Sequence, residues 1–250
     1  MRSIIPWARK QSIDLFQIAG GLAFSLATAI LALLREPITW IFDIWFSRKQ
    51  SELLAEGVFN TVGISVASIV AGTLLGIILA YIARPAFANR KFLSLVSRGV
   101  LYVALSVPVY VLLIFGQGWF ANPWIAAVVF LSLNLAVFVC RLMVRAFETL
   151  PIAQVEAARA AGAHGWSFRW NFELPALWRS CGAGVTNEWA TTLKLSSLVG
   201  VIGAYDIMKT SRTILDETYD TRVFLVVVAV YALLTIPVFM LSDRYMRQQG

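Results

Sequence analysis

Six apolar runs, at residues 15–34, 58–82, 100–116, 120–140, 181–204 and 223–241, alternate with polar stretches along the chain. Each is long enough to cross a hydrocarbon layer of roughly 30 Å as a helix. Helices satisfy their own backbone hydrogen bonds, so a chain of such runs can form a bundle in lipid without exposing peptide groups. The 59% hydrophobic content of the 250 residues is more than an ordinary soluble domain carries. The expected fold is therefore an all-α membrane protein, a polytopic helical bundle of about six transmembrane helices. Only the fifth run contains charged residues.

Charge sets the expected orientation. With the N-terminus placed in the cytoplasm, segments 1–14, 83–99, 141–180 and 242–250 lie inside and hold 14 of the 21 Lys and Arg residues. The outer segments 35–57, 117–119 and 205–222 hold 6, and Lys194 lies within a span. The positive-inside bias puts both termini, and the long loop 141–180, in the cytoplasm. A net charge of +7 is then explained by anionic inner-leaflet lipid, with no nucleic acid needed. Trp40, Trp45, Trp119 and Trp124 fall at the outer boundary and Trp7, Trp166, Trp170 and Trp178 at the inner one, as interfacial anchors do; Trp189 is deep. Cys140 and Cys181 map to cytoplasmic ends, where thiols stay reduced, and the lone His164 argues against a histidine-based site. No metal site is expected.

The first run is too long for a removed signal and lacks its small-residue cleavage pattern, so it reads as a retained helix. Segment 35–57 mixes charge with Trp40, Ile41, Phe42, Ile44, Trp45 and Phe46, which fits either a short surface helix or a packed loop. Gly72 and Gly76 allow close approach of another helix, of the same chain or of a second copy. Pro108 should bend the third span. Asn134 in the fourth is expected to make an interhelical hydrogen bond, with solute contact as the other role open to it.

The fifth run carries Asn187, Glu188, Thr191, Thr192, Lys194 and Ser196. At about 100° per residue, Asn187, Thr191 and Lys194 share one face, with Glu188 and Thr192 on the adjoining one. Ionisable groups at membrane depth are costly unless paired or wet, so this helix should line a translocation path or a subunit interface. For Glu188 and Lys194, a structural role and direct solute contact both remain open.

The loop 141–180 contains Glu156-Ala157-Ala158, then Gly162 six residues after the acid, then Leu174-Pro175. Helix formers, a glycine turn and a second helical stretch make a shape that fits a groove on a partner. This spacing resembles the EAA loop of type I ABC-importer permeases, with Phe172 where isoleucine is usual. The string Asn187-Glu188, Leu193-Lys194, Ser197-Leu198 and Ile202-Gly203 further resembles the polar-amino-acid permeases of the histidine, glutamine and arginine type. Leu195 stands where aspartate is common there, and Ala104-Leu105-Ser106-Val107-Pro108 lacks the usual basic residue.

The resemblance implies a five-helix core plus an added N-terminal helix, divided as residues 1–52 (N-terminal helix and outer segment) and 53–250 (permease domain with the cytoplasmic loop 141–180). It implies that Glu156, Ala157, Ala158 and Gly162 form a coupling helix docking on an ATPase, with Leu174 and Pro175 returning the chain to the membrane. It implies two ABC ATPase subunits, which bind ATP and Mg, a second permease subunit (paralogue or self), a solute-binding protein, and a place in the bacterial inner membrane. The charges of 205–222 read either as a solvated loop or as contacts for that binding protein. The chain itself has no phosphate-cradling Gly-rich loop with a lysine, so it should be a non-catalytic subunit binding no cofactor. The solute implied is a polar or basic amino acid or a related compound, with Asn134, Asn187, Glu188, Thr191, Lys194 and Ser196 as path candidates. A permease for another small solute, a secondary transporter or channel, and a membrane enzyme using Glu188 and Lys194 are the competing readings.

Overall fold

The computed structural model describes residues 39, 41–83, 106–162 and 164–247. The expected first helix, the segment 84–105 and the two termini lie outside them. The chain divides into two compact units, residues 1–59 and 60–250. In the first, a helical turn at 41–43 leads to Ser47, whose backbone N–H donates to Gln50 Oε1 at 3.1 Å, one half of a capping box. Helix α1 (Arg48–Ile82) starts there, ten residues ahead of the expected span. Its 35 residues reach about 52 Å at 1.5 Å each, well beyond the hydrocarbon thickness. The segment expected as a separate surface helix or loop is thus partly the first three turns of a long one.

In the second unit, Pro108 interrupts the third span rather than bending it. Ser106 is helical, Pro108 is extended (φ −60°, ψ 132°), and α2 (Val109–Gly116) starts anew beyond it. The Pro108 carbonyl accepts from Val111 and Leu112 N–H, which gives the new helix its first turn. A 3-10 turn (Gln117–Trp119) leads to α3 (Pro123–Thr149), capped by Asn122, whose side chain accepts from Trp124 N–H at 2.9 Å, with Pro123 at the first helical position where no N–H is required.

Short α4 (Ile152–Ala160) and α5 (Gly165–Phe168) follow, then a π-helical turn (Arg169–Glu173) that runs directly into α6 (Leu174–Leu195). Pro175 lies in the first turn of α6 without breaking the helical path. The chain passes through it because the π turn before it shifts the hydrogen-bond register where the proline has no N–H to give. Beyond α6 a 3-10 stretch (Ser196–Ile202) ends at Gly203, whose φ of +84° favours glycine. Helix α7 (Ile207–Thr218) and α8 (Val223–Arg247), with Pro237 inside it, complete the unit.

Three helices among the described residues are long and apolar enough to cross a membrane: Arg48–Ile82, Pro123–Thr149 and Val223–Arg244. The polar α6 packs against α3 and α8. Helices α1 and α3 meet backbone to backbone. A Cβ at Gly72 would lie 2.8 Å from the Ser132 carbonyl oxygen, and one at Gly76 only 2.6 Å from Val139 Cβ. The glycine pair therefore serves packing within the chain. Two apolar clusters hold the helices. One, around Leu113, Ala127, Phe130 and Val199, lies at the Trp119 end, and the other, around Val139, Met143, Leu177 and Val185, at the Pro151 end.

Candidate functional site

The loop between α3 and α6 is set by residues with unusual backbone constraints. Pro151 stops α3 and caps α4. Gly162, with φ of +86° and open space around it, closes α4 as its N–H donates to the Arg159 carbonyl at 3.0 Å. Gly165, φ +57°, opens α5. Between Pro151 and Gly162, α4 has no buried residue at all: Glu156 and Ala157 are exposed, as is Gly162 after it, Ala158 is half-buried, and Ile152 is 75% exposed. A helix that hides no face gains nothing from packing in its own chain, and short helices are marginal alone. What orients it is Arg159, whose guanidinium lies 5.7 Å from the Phe168 ring centroid. Phe168 is buried and packs on Phe172, their ring centroids 5.3 Å apart.

Leu174 is half-buried against the second apolar cluster, while Pro175 is exposed. Between Phe172 and Leu174, Glu173 is fully buried, which no sequence signal marked. The guanidinium of Arg169 lies 5.9 Å from the Tyr81 ring, joining the π turn to the end of α1. Trp166 and Trp170, exposed and one turn apart, stack at 6.2 Å.

On α6 the structure puts Asn187, Thr191 and Lys194 on one exposed face. Thr191 Oγ1 donates back to the Asn187 carbonyl at 3.1 Å, which spares a hydroxyl at membrane depth from losing its donor bond. The Lys194 ammonium lies 4.9 Å from the Phe239 ring centroid on α8. Glu188 is half-buried on the adjoining face and feels the charge of Arg141 on α3. Thr192 is buried, its hydroxyl donating to the Glu188 carbonyl at 2.9 Å.

Two of the sequence candidates stand apart from this face. Ser196 is fully buried, bonded to the Leu193 carbonyl at 2.7 Å and to Tyr231 Oη at 3.3 Å, because the helical period itself puts it about 180° around the axis from Asn187. Asn134 makes no interhelical hydrogen bond among the described residues; Ser132 makes that contact instead, to the Ser68 carbonyl at 3.4 Å. Asn134 lies two turns from Arg141 on the same face of α3.

A third group was not singled out by the sequence. Asp206, one of the charges expected on a solvated or partner-contacting loop, is fully buried. Its carboxylate caps α7, accepting from Met208 and Lys209 N–H at 3.2 and 3.0 Å. Thr61 Oγ1 accepts from Ile207 N–H at 2.9 Å, Asn60 Nδ2 donates to the Tyr205 carbonyl at 2.8 Å, and the Tyr231 hydroxyl interacts with Thr61, Ser196 and Asp206. Burial pushes the Asp206 carboxyl up to about 6, against the opposing pull of its backbone donors and Arg212. The network ties α1, α7, α8 and the 3-10 stretch together at the end remote from Gly162.

The chain thus has a helix presented at one end, a polar face along one inner helix, and apolar helices around them. Among known sequences, the family described as "Binding-protein-dependent transport system inner membrane component" matches residues 72–249. The arginine transport system permease protein ArtQ of Bacillus subtilis (strain 168) is 31% identical over 175 residues, 68% of this chain and 80% of that protein. The histidine/lysine/arginine/ornithine transport system permease protein HisQ of Salmonella typhimurium is 26% identical over 71% of this chain and 84% of that protein. The nopaline transport system permease protein NocM of Agrobacterium fabrum is 24% identical over 77% and 86%.

Two solved structures share the fold. One, of an amino acid ABC transporter with histidines, has a TM-score of 0.67 at 22% identity, covering 80% of this chain and 95% of that one. The other, an inward-facing MetNI methionine ABC transporter, has a TM-score of 0.70 at 23% identity, covering 82% and 100%. The chain belongs to the family of binding-protein-dependent transport system inner membrane components, as a multi-pass permease subunit whose work is transport rather than catalysis.

Proposed function

We propose that this chain is half of the solute path of an ATP-driven importer for an amino acid or a related compound. The observation that carries the proposal is α4, a helix that buries no side chain of its own and is followed by a glycine turn in open space. Such an element is finished by a partner. In this reading Glu156, Ala157, Ala158 and Gly162 enter a groove on a cytoplasmic ATPase, and the ATP and Mg sit on that partner. A second permease, a copy or a paralogue, faces α6, so that two docking turns meet two ATPases. A binding protein delivers solute at the opposite face. The exposed face of α6 at Asn187, Thr191 and Lys194 forms one wall of the path, with Glu188 and Asn134 beside it; Ser196 belongs to the packing. Arginine, histidine and nopaline systems among the relatives support the amino-acid class.

ATP-driven closure of the two ATPases would draw the docking turns together and switch the bundle between its two access states. The test is Gly162→Asp in the assembled transporter. Its side chain meets open space and the left-handed backbone there costs an Asp about 1–2 kcal/mol, so the chain should still reach the membrane, while solute-stimulated ATP hydrolysis should fall at least tenfold. Hydrolysis at the normal rate would place the ATPase elsewhere. Purification of the tagged wild-type chain should bring an ATPase with it, and recovery without one would move the reading to a transporter that needs no ATPase.

A further inference from the structure

From Gly184 onward, Lys194 is the only charged residue among the exposed positions of α6, the others being Asn187 and Thr191. It forms no ion pair among the described residues. Beside it lies the Phe239 ring, which attracts the ammonium without neutralising it and leaves its N–H donors available. None of the acids nearby forms an ion pair with Lys194 among the described residues. Glu188 lies on the adjoining face beside Arg141, Asp206 is buried as the cap of α7, and Asp243, one turn along α8 from Phe239, makes no bond to Lys194.

We infer that this face is an anion subsite, in which Lys194 takes the carboxylate of the solute and repels a solute whose side chain is cationic. The inference rests on α6 lining the path, and it narrows the solute to a zwitterion or an anion. An uncompensated ammonium in a narrow, poorly screened passage raises the local concentration of anions and lowers that of cations. A compound with a second positive charge meets no carboxylate on this face to receive it. Asn187, whose side-chain amide has no partner among the described residues, supplies a neutral donor one turn below Thr191 for the second carboxylate oxygen.

The test reads charge at this face without knowing the solute. Thr191→Cys is introduced into the assembled transporter in native membrane vesicles; the native Cys140 and Cys181 are buried, and the unsubstituted chain reports their background. Modification rates are measured with two methanethiosulfonates, one bearing a sulfonate and one a trimethylammonium, each normalised to its rate with a small thiol in solution. The anionic reagent should react roughly tenfold faster, Lys194→Met should bring the ratio near unity, and Lys194→Arg should restore it. Asn187→Cys is a second reporter should the first assemble poorly. Equal rates, a faster cationic reagent, or a ratio indifferent to Lys194→Met would overturn the subsite while leaving the path in place. If neither reagent modified the Thr191→Cys or the Asn187→Cys variant, the path and the subsite would both be removed.

Discussion

At Asp206 one side chain meets two opposed demands. As the cap of α7 it satisfies two backbone donors, and as a fully buried carboxylate it loses hydration. The second effect prevails, because its carboxyl is raised from 3.8 to about 6. The folded protein therefore holds this proton to higher pH than the unfolded chain, and stability falls as pH rises from about 4 to about 6, then levels. The difference of about two units corresponds to about 3 kcal/mol. Asn caps a helix about as well as Asp, so Asp206→Asn should match the wild type near pH 4 and exceed it at pH 7 by about 2 kcal/mol, read as thermal unfolding in detergent. Asp206→Ala, lacking the cap, should gain about 1 kcal/mol less. If Asp206→Asn lost stability at pH 7, ionised Asp206 would be holding the network rather than straining it. A second residue under strain is Tyr219, the C-cap of α7, at φ +56° and 87% exposed. Tyr219→Gly should stabilise the chain by about 1 kcal/mol; no change in the unfolding midpoint would show that the turn carries no such cost.

Among the elements, the α1–α3 contact offers the sharpest check on packing. Gly76→Ala puts a methyl against Val139 and the Ala136 carbonyl and should cost about 1–3 kcal/mol of stability, with Gly72→Ala close behind. Gly118→Ala, with nothing within 4 Å, should change it by less than about 0.5 kcal/mol. Equal effects at Gly76 and Gly118 would mean the helices have room to part.

The elements also divide by how much of them the sequence made legible. The polar face of α6 was readable because its position depends only on helical periodicity, and Asn187, Thr191 and Lys194 fall where that period puts them. The turn that ends α4 was readable because Gly162 and the spacing to Leu174-Pro175 are local signals. Burial of Asp206 was not readable, since it depends on Thr61 and Tyr231, which are distant in sequence, and an acid among alternating charges looks solvated. Nor was the outcome at the prolines: Pro108 divides a helix and Pro175 does not, and the difference lies in a π turn that no residue type announces. Ser196 stands among the path candidates through the resemblance alone; the helical period that groups Asn187, Thr191 and Lys194 puts it about 180° away, where the structure buries it.

For the whole molecule, the distribution of Lys and Arg implies a single orientation, with the Gly162 turn inside and the Gly118 turn outside. A cysteine at Gly118 should be labelled in intact cells by a membrane-impermeant maleimide, and a cysteine at Gly162 only after the membrane is opened. Labelling of both from outside, or the reverse pattern, would refute that orientation and with it the ATPase contact at α4.

The π turn at Arg169–Glu173 joins the loop and α6 into one unbroken helical path from Gly165 to Ile202. A π turn holds one residue more than an α turn in nearly the same height. Removing that residue lets the turn close as an ordinary α turn, which leaves the rod almost as long and the segment before it at nearly the same azimuth relative to Asn187, Thr191 and Lys194. The π turn is therefore the one place on this rod where the chain can lose a residue and keep both ends on their bearings, whereas the same deletion in the α-helical part between it and Asn187 would swing one end about 100° against the other.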